Sequence, residues 1–151
     1  MNAVLAQAHH TFSISTRAVG FIDVTKQVAE WLSQADAYTG LLTIFIRHTS
    51  ASLTIQENAD PDVLTDLTRA LTRLAPEHTG YLHAMEGADD MPAHIKTMLT
   101  ATSLQVPVLL GRMALGIWQG LYVIEHRRQP HRREIVLLFQ GTLLAASPGV
   151  P

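Results

Sequence analysis

The sequence predicts an α+β fold, because segments with a helical pattern are interspersed with segments that have the pattern of β-strands. The 151 residues are 47% hydrophobic and 16% charged, which is typical of one compact globular domain, and we expect this domain to span residues 1–151. The predicted helices are residues 24–37, 61–75 and 92–102. The predicted strands are residues 4–15, 42–47, 48–58, 106–110, 113–126 and 134–144.

The composition also excludes several classes of protein. No apolar run approaches the ~20 residues of a membrane span, and the first residues lack the basic flank and longer apolar region of a signal peptide. We therefore expect a cytoplasmic protein with no membrane partner. Because the chain has no cysteine, a metal site would have to use His, Asp or Glu. A net charge of −2 argues against general binding to nucleic acid.

The first two helices are predicted from start and stop signals. Asp23 offers an N-cap to the first helix, and Gly40 is expected to break the segment that follows. Asp60 is a cap for the second helix and Pro61 its first residue, and leucines then recur every three or four positions before Pro76. The first helix is expected to pack an apolar face on a sheet.

Three of the predicted strands have distinctive features. Pro107 cannot donate a ladder hydrogen bond, so the fourth strand is expected at a sheet edge. Gly116 and Gly120 interrupt the fifth strand, which indicates a bulge or a close approach by a ligand or a backbone. The sixth strand is apolar on both faces, as expected of a central strand.

The densest group of chemically active side chains lies in residues 83–96. This segment holds two histidines, three carboxylates and a lysine: His83, Glu86, Asp89, Asp90, His94 and Lys96. Histidine binds transition metals and titrates near neutral pH, whereas carboxylates complete a coordination shell or orient an imidazole. The segment therefore predicts a metal site or an acid–base site.

Helix geometry adds to this hypothesis. Asp90 is expected to cap the third helix, Pro92 is acceptable in its first turn, and Met91 is biased away from helical dihedrals by the proline that follows it. His94 then lies near the positive end of the helix, which favours a neutral imidazole that can bind a metal. The alternative is a helix-capping loop with two partly exposed histidines, since two histidines eleven positions apart do not define a metal site.

Residues 48–58 place polar side chains on one face and apolar side chains on the other. Such a strand turns one face to the core, while its other face lines a polar site or simply contacts water. Serine catalysis does not fit, because the chain has no Gly-x-Ser-x-Gly motif. Two alternatives are open for Trp118, which either stacks on a ligand or belongs to the core. Two are also open for the basic turn at residues 127–133, which either holds a phosphate or is a solvated loop.

Five motifs, taken together, carry a specific resemblance to a known family. They are residues 48–54, 57–61, 86–96, 115–120 and 125–127. In this order they resemble the YjbQ-like family, the secondary thiamine-phosphate synthases, over nearly the whole chain. The chain departs from the family pattern at Ala59, where cysteine is common, and at Ile117, where threonine is common.

The resemblance implies a fold of packed β-sheets with helices outside, usually assembled as a homotrimer. It implies a weak or secondary thiamine-phosphate synthase activity, which couples a pyrimidine diphosphate to a thiazole phosphate and releases diphosphate. The implied partner is therefore a phosphorylated small molecule, and the implied cofactor is a divalent metal ion. Three imidazoles resemble a zinc site more than a magnesium site, which would prefer oxygen ligands.

The same resemblance assigns roles to individual residues. The expected metal ligands are His48, His83 and His94. The expected catalytic residues are Glu86 or Asp89, as a general base or as the group that orients a histidine, together with Lys96 as a clamp on the leaving group. The expected substrate-binding residues are Ser50, Ser52, Asn58, Arg112, Trp118, Gln119, Glu125 and Arg127.

Two functions of different classes stay open at this stage. The first is a metal-assisted transferase, or a hydrolase, that acts on a phosphorylated small molecule. The second is a non-catalytic trimer that binds a metal or a metabolite. Metal analysis together with a screen of phosphorylated metabolites distinguishes the two, because only the enzyme gives turnover that is lost on chelation.

Overall fold

The computed structural model describes residues 5–144, which form three helices and eight strands. In chain order the elements are β1 (Ala6–Ser15), β2 (Gly20–Asp23), α1 (Thr25–Gln34), β3 (Ala37–Ile46), β4 (Ala51–Glu57), α2 (Pro61–Leu74), α3 (Asp90–Leu99), β5 (Ser103–Leu109), β6 (Arg112–Met113), β7 (Gln119–Glu125) and β8 (Arg132–Leu143). The strands form a five-stranded sheet of order β1-β8-β3-β5-β6 and a three-stranded sheet of order β2-β7-β4. All strand pairs are antiparallel, so the predicted α+β class is confirmed.

One hydrophobic core joins the two sheets and α1. The larger sheet contributes alternate side chains of β3 and β8, the smaller sheet those of β4 and β7, and α1 contributes two fully buried residues, Val28 and Leu32. Burying one side chain of this size stabilises the fold by roughly 1.5–3 kcal/mol. The predicted packing of the first helix on a sheet is confirmed.

The second helix begins as predicted, and the first ends earlier than predicted. The Asp60 side chain accepts a hydrogen bond from the backbone nitrogen of Asp62 at 2.9 Å, and Pro61 is the first residue of α2. The prediction that the first helix extends to residue 37 and that Gly40 breaks it is wrong, because α1 ends at Gln34 and Gly40 lies within β3.

Gly40 has a role in the sheet instead. It pairs with Gly141 of β8, and a Cβ atom on Gly40 would lie 2.2 Å from the carbonyl oxygen of Gln140. A Cβ atom on Gly141 would lie equally close to the carbonyl oxygen of Thr39, at 2.2 Å. The two glycines therefore allow β3 and β8 to approach each other more closely than any other residue pair would permit.

The start of the third helix differs from the prediction. α3 begins at Asp90, so Met91 is helical despite the proline that follows it, and Asp89 occupies the cap position without a side-chain cap hydrogen bond. The prediction that Asp90 caps this helix is wrong. The physical reason is that the Asp90 carboxylate is turned to His83, His94 and Arg127 rather than to the free amides of the first turn.

The strands agree with the sequence patterns, with two differences. β8 lies between β1 and β3, as predicted for a central strand, and the segment around Gly116 interrupts the fifth predicted strand, which divides into β6 and β7. β5 is not fully at the edge, because β6 pairs with its last two residues. β2 was missed: its four residues give too short a pattern to detect, and they pair with β7.

The register of the smaller sheet sets the positions of its two ends. Ala51 of β4 pairs with Glu125 of β7, and Glu57 pairs with Gln119. The loop that holds residues 48–50 and the loop that follows β7 therefore meet at one end, whereas the segment around Trp118 lies at the opposite end. Within residues 5–144, no helix is long and apolar enough to span a membrane.

Candidate metal centre

Three side chains form a compact group of metal-ligating atoms. His83, Asp90 and His94 each place one ligand atom within 4.8 Å of the others. The Nε2 atoms of His83 and His94 lie 2.6 Å and 3.2 Å from the same carboxylate oxygen, Oδ2 of Asp90. We name these three residues the His–Asp cluster.

The local fold explains how the His–Asp cluster forms. Asp90 and His94 are four positions apart on α3, so their side chains lie on one face, one turn apart. His83 comes from the irregular segment between α2 and α3, and its ring meets that of His94 edge to face at 5.5 Å between centroids. The Asp90 side chain is 2% exposed, whereas the His83 side chain is 43% exposed, so the cluster has a buried base and an open side.

A backbone contact orients His94. Its Nδ1 atom lies 2.8 Å from the carbonyl oxygen of Thr49, an acceptor, so Nδ1 carries the proton and donates it. In the neutral ring Nε2 is then an acceptor, and it faces another acceptor, Oδ2 of Asp90, at 3.2 Å. Two acceptors at this distance need a proton or a cation between them.

The donor set suits a zinc ion. Two imidazoles and one carboxylate are a common set of protein ligands for catalytic zinc, which keeps a further position open. Histidine ligands usually donate their other ring N–H to a backbone carbonyl or a carboxylate, as His94 does to Thr49. The 3.2 Å between His94 and Asp90 is close to the spacing of neighbouring ligand atoms around zinc, roughly 3.3 Å, whereas the 2.6 Å between His83 and Asp90 is a hydrogen-bond distance that would have to lengthen around an ion.

Arg127 holds the carboxylates of the site from behind. Its Nη1 donates to Oδ1 of Asp90, its Nε donates to Asp89 at 3.2 Å, and its Nη2 donates to the carbonyl oxygen of Glu86 at 2.8 Å. Burial alone would raise the pKa of Asp90, but the hydrogen bond from His83 and the charge of Arg127 outweigh it and lower this pKa. Asp90 is therefore an ionised carboxylate, with Oδ1 bound by Arg127 and Oδ2 facing the two histidines.

Asp89 fastens the loop after β7 to the start of α3. Its Oδ2 accepts hydrogen bonds from the backbone nitrogen of Arg128 at 2.9 Å and from Arg127. Burial would raise the pKa of Asp89, but these two hydrogen bonds and the Arg127 charge lower it on balance. The structure thus gives Asp89 a structural contact, and its predicted catalytic role stays a prediction.

A second buried network lies beside the first. Arg133 is 3% exposed and donates from Nε to Glu125, which is completely buried, at 2.7 Å. Its Nη2 also donates to the Ser50 hydroxyl at 3.1 Å, and Thr16 donates to Glu125 at 2.7 Å. Burial would raise the pKa of Glu125, but the hydrogen bonds, first that of Arg133, lower it, so this pair is ionised.

His48 belongs to this second network and not to the His–Asp cluster. Its Nε2 accepts a hydrogen bond from the backbone nitrogen of Glu134 at 2.7 Å, and its Nδ1 lies 3.4 Å from Nη1 of Arg133. Burial and, after it, the charge of Arg133 lower the pKa of His48. The structure therefore brings two of the three predicted ligands together, adds Asp90, and does not bring His48 to them.

The polar face predicted for residues 48–58 is buried around Ser52. The Ser52 hydroxyl lies 2.8 Å from Nε2 of His126 and accepts a hydrogen bond from the Thr100 hydroxyl at 2.6 Å. Burial lowers the pKa of His126 to about 4, and the nearby Lys96 charge acts in the same direction. Ser52 and His126 are almost fully inaccessible, so this network stabilises the sheet rather than contacting a substrate.

Lys96 and Glu86 lie apart from the His–Asp cluster. Lys96 follows His94 by two positions, roughly 200° around α3, and lines a small cavity with His126. Its side chain is largely buried, which lowers its pKa. The Glu86 side chain is exposed, whereas its backbone carbonyl oxygen accepts a hydrogen bond from Arg127. The predicted catalytic roles of Lys96 and Glu86 therefore stay predictions.

The residues predicted to bind substrate fall into three places. Ser50, Ser52, Glu125 and Arg127 lie at the same end of the smaller sheet as the cluster and make the contacts described above. Arg112 is exposed on β6, the outermost strand of the larger sheet. The remaining three, Asn58, Trp118 and Gln119, lie at the opposite end of the smaller sheet. There the Asn58 amide donates to the carbonyl oxygen of Gln119 at 3.3 Å, and Trp118 is 60% exposed.

Three contributors to this region were missed in the sequence, although two left a signal. Asp90 precedes His94 by four positions, the spacing of one helix face, but it was interpreted as a cap. Arg133 has the parity of the buried residues Ile135 and Leu137 in β8, which marks it as inward-facing. The carbonyl oxygen of Thr49 is a backbone group, and its part in the site has no side-chain signal.

Comparison with known sequences identifies related proteins. The family model described as UPF0047 protein YjbQ-like matches residues 10–142. The chain is 45% identical over 140 residues to the UPF0047 protein sll1880 of Synechocystis, covering 92% of this chain and 95% of that protein. It is 42% identical over 132 residues to the UPF0047 protein YjbQ of Salmonella typhimurium, covering 87% and 96% respectively.

Comparison with solved structures gives the same fold. A crystal structure from Clostridium acetobutylicum, titled as an uncharacterized conserved protein of the YjbQ/UPF0047 family, matches with a TM-score of 0.80 at 34% identity over 86% of this chain and 98% of that one. A YbjQ-like protein of unknown function from Sulfolobus solfataricus has the same fold, with a TM-score of 0.84 at 19% identity over 91% and 99%. Packed sheets with outer helices are thus a shared architecture.

Proposed function

Since the chain belongs to the YjbQ-like UPF0047 family, we propose that it is a metal-assisted transferase that acts on a phosphorylated small molecule. The substrate class comes from the resemblance of the sequence motifs, which implies secondary thiamine-phosphate synthase activity. The metal site comes from the geometry of His83, Asp90 and His94. Asp90 replaces His48 in the ligand set that we propose.

The observation that carries this proposal is the contact between His94 and Asp90. Because Thr49 fixes the His94 tautomer, two acceptors face each other at 3.2 Å, which is an unfavourable arrangement without a cation or an extra proton. A zinc ion would satisfy both acceptors and His83 at once, with a partly exposed side left for a substrate. When bound, such an ion supplies Lewis acidity for a phosphoryl oxygen or lowers the pKa of a water molecule.

Space for a phosphorylated group lies directly beside the cluster. A cleft of about 260 Å³ shares His83 with the cluster and is otherwise lined by His78, Gly80, Tyr81, Ala84, Gly87 and Ala88. Tyr81 is held by a hydrogen bond from its hydroxyl to the carbonyl oxygen of Pro76 at 2.8 Å. The small residues and the positive φ angles of Gly80 and Gly87 let the backbone come close to a ligand in this cleft.

One observation favours a second candidate function, a protein that binds a metal or a metabolite without turnover. Arg127, which the resemblance implies is a substrate-binding residue, already uses its guanidinium for Asp89, Asp90 and the Glu86 carbonyl oxygen. Arg128 likewise donates to both oxygens of Glu77, at 2.8 Å and 3.1 Å. Release of diphosphate needs a free positive charge, which Arg127 and Arg128 do not supply while they make these contacts.

We also propose that the protein assembles as a homotrimer. Large apolar side chains are exposed in two places: Leu82 and Met85 near the cluster, and Leu109 and Leu110 where β5 ends. Exposed apolar side chains in such numbers are often buried in symmetric interfaces. Light scattering at micromolar concentration tests this, and the mass of a single chain would contradict it.

Two measurements on the same purified protein test the proposed function. Metal analysis of the wild-type protein should find bound zinc, and a screen of phosphorylated metabolites should find saturable turnover that chelation abolishes and zinc restores. His83→Ala should lose both, whereas His78→Ala, which changes an exposed histidine of the same loop, should keep the bound zinc. Zinc binding without any turnover would support the second function, and the absence of both would refute the proposal.

A further inference from the structure

The cleft at the far end of the smaller sheet has the features of a second binding site. It has a volume of about 360 Å³ and is lined by Ile55, Gln56, Glu57, Trp118 and Gln119. Such a volume lies within the usual range of small-molecule sites, about 300–1,000 Å³. We name it the Glu57–Trp118 cleft.

The Glu57–Trp118 cleft lies well away from the His–Asp cluster. The cluster contacts Thr49, just before β4 begins at Ala51, whereas the cleft lies where β4 ends at Glu57. Six residues of extended strand separate these two ends, which corresponds to ~20 Å. A small ligand in this cleft therefore does not reach the cluster of the same chain.

A buried carboxylate oxygen gives the cleft its chemical preference. Oε2 of Glu57 is buried and has no hydrogen-bond partner among residues 5–144. The five lining residues include this one carboxylate and no lysine or arginine. An unpaired carboxylate oxygen that is shielded from water is costly, so the Glu57 side chain gains free energy by turning this oxygen towards a ligand with a positive charge and N–H donors.

The aromatic wall of the cleft has the matching property. Trp118 is 60% exposed, although a side chain of this size is usually buried, and the neighbouring Ile117 is 82% exposed. An accessible indole face attracts cations through its quadrupole and offers a flat surface for a planar group. The acidic group and the aromatic surface thus favour the same kind of ligand.

The remaining polar groups make the cleft rigid. The Gln119 side chain accepts a hydrogen bond from the backbone nitrogen of Gly116 at 2.7 Å, and that of Gln56 accepts one from the backbone nitrogen of Glu57 at 3.0 Å. The Tyr122 hydroxyl donates to the carbonyl oxygen of Glu57 at 3.2 Å. These contacts hold the segments that carry Glu57 and Trp118 in place before a ligand binds, which lowers the entropic cost of binding.

We propose that the Glu57–Trp118 cleft binds a planar organic cation with N–H donors, of the amidinium or protonated amino-heterocycle type, which stacks on Trp118 and pairs with Glu57. This inference does not depend on the proposed metal site. It is independent because no lining residue of this cleft contacts the His–Asp cluster.

Benzamidinium is a suitable probe, and neutral benzamide is its matched control because the two differ chiefly in charge. The NMR signal of the Trp118 indole N–H, assigned by its loss in Trp118→Leu, should shift saturably with benzamidinium and not with benzamide. Glu57→Gln should weaken benzamidinium binding by roughly tenfold or more, because a charge-assisted pair is lost. Glu30→Gln, which removes an exposed carboxylate on α1, should bind as the wild type does.

Two results would overturn the inference. One is the absence of a saturable shift at millimolar benzamidinium, or equal shifts with benzamide; this comparison needs only the wild-type protein. The other is a folded Glu57→Gln protein, judged by its melting curve, that binds benzamidinium as tightly as the wild type. Zinc content should stay unchanged in Glu57→Gln, so a failure here is distinguishable from a failure of the metal proposal.

Discussion

The Nδ1 atom of His94 lies 2.8 Å from the carbonyl oxygen of Thr49, and this contact joins the third helix to the start of the smaller sheet. It determines which nitrogen of His94 faces Asp90, and the proposed metal site depends on this arrangement. A backbone acceptor cannot be removed by a side-chain substitution, so the contact is tested through His94 itself.

His94→Asn should separate the two functions of this ring. The asparagine amide can occupy the position of Nδ1 and keep the hydrogen bond to Thr49, but it has no group at the position of Nε2. We expect a melting temperature close to that of the wild type and zinc affinity weakened by more than ~100-fold, a larger loss than for a residue that only supports a ligand. A competition titration with a chelating dye measures the affinity, and zinc binding equal to that of the wild type would contradict the ligand role.

Arg127→Lys should weaken zinc binding without removing a ligand. A lysine keeps the positive charge but cannot reach Asp89, Asp90 and the Glu86 carbonyl oxygen together. We expect zinc affinity to fall by ~10- to 100-fold, as for other groups that orient metal ligands. Arg112→Lys, an exposed position on β6, is the matched control and should have no effect.

Asp89→Asn should lower stability rather than metal affinity. The Asp89 carboxylate accepts from the backbone of Arg128 and from the Arg127 side chain, and it is 9% exposed. Loss of the charge from these hydrogen bonds should reduce the free energy of unfolding by about 1–3 kcal/mol, measured by urea denaturation. Glu86→Gln changes an exposed side chain and should leave the free energy of unfolding unchanged. Equal stabilities of Asp89→Asn and the wild type would contradict this structural role.

His126 should make stability depend on pH. Burial lowers its pKa to about 4 from 6.5, so between these values the unfolded chain binds more protons than the folded chain. The contribution of neutral His126 to the free energy of unfolding is fully present above about pH 6.5. It is lost as pH falls towards about pH 4, and the total loss is roughly 3 kcal/mol. The charges that face His126 are those of Lys96, Glu125 and Arg133.

Urea denaturation across this pH range checks the prediction through differences between proteins. The gap in unfolding free energy between the wild type and His126→Gln should narrow as pH falls, because glutamine does not titrate. A constant gap between wild type and His126→Gln would show that the His126 pKa is not lowered by folding.

The sequence predicted most of the fold because its elements have strong local patterns. The cap at Asp60, the leucine spacing of α2 and the two-sided apolar pattern of β8 are each decided within a few residues. The prediction for Gly40 is wrong because the constraint on this residue comes from another strand. A Cβ atom on Gly40 would clash with the backbone of Gln140 and Gly141 in β8. A close approach of two strands has no signal in either segment alone.

The site was predicted in part for the same reason. His83 and His94 were recognised because they stand near several carboxylates in the chain, and the helix spacing brings Asp90 to them. His48 has a similar local context, yet the fold turns it to Glu134 and Arg133. The position of His48 depends on the contact between the loop before β4 and the start of β8, which forms only in the tertiary structure.

Calorimetric titration of the metal-free protein with zinc decides whether the His–Asp cluster is a metal centre. We expect about one zinc ion per chain for the wild type, with imidazole ligands, and equal stoichiometry for His48→Ala. His83→Ala, at a side chain that is 43% exposed and whose loss should not disturb the fold, should abolish tight binding. Failure of the wild-type protein to bind zinc, or zinc binding by His83→Ala as tight as by the wild type, would contradict the assignment of His83, Asp90 and His94 as a metal centre.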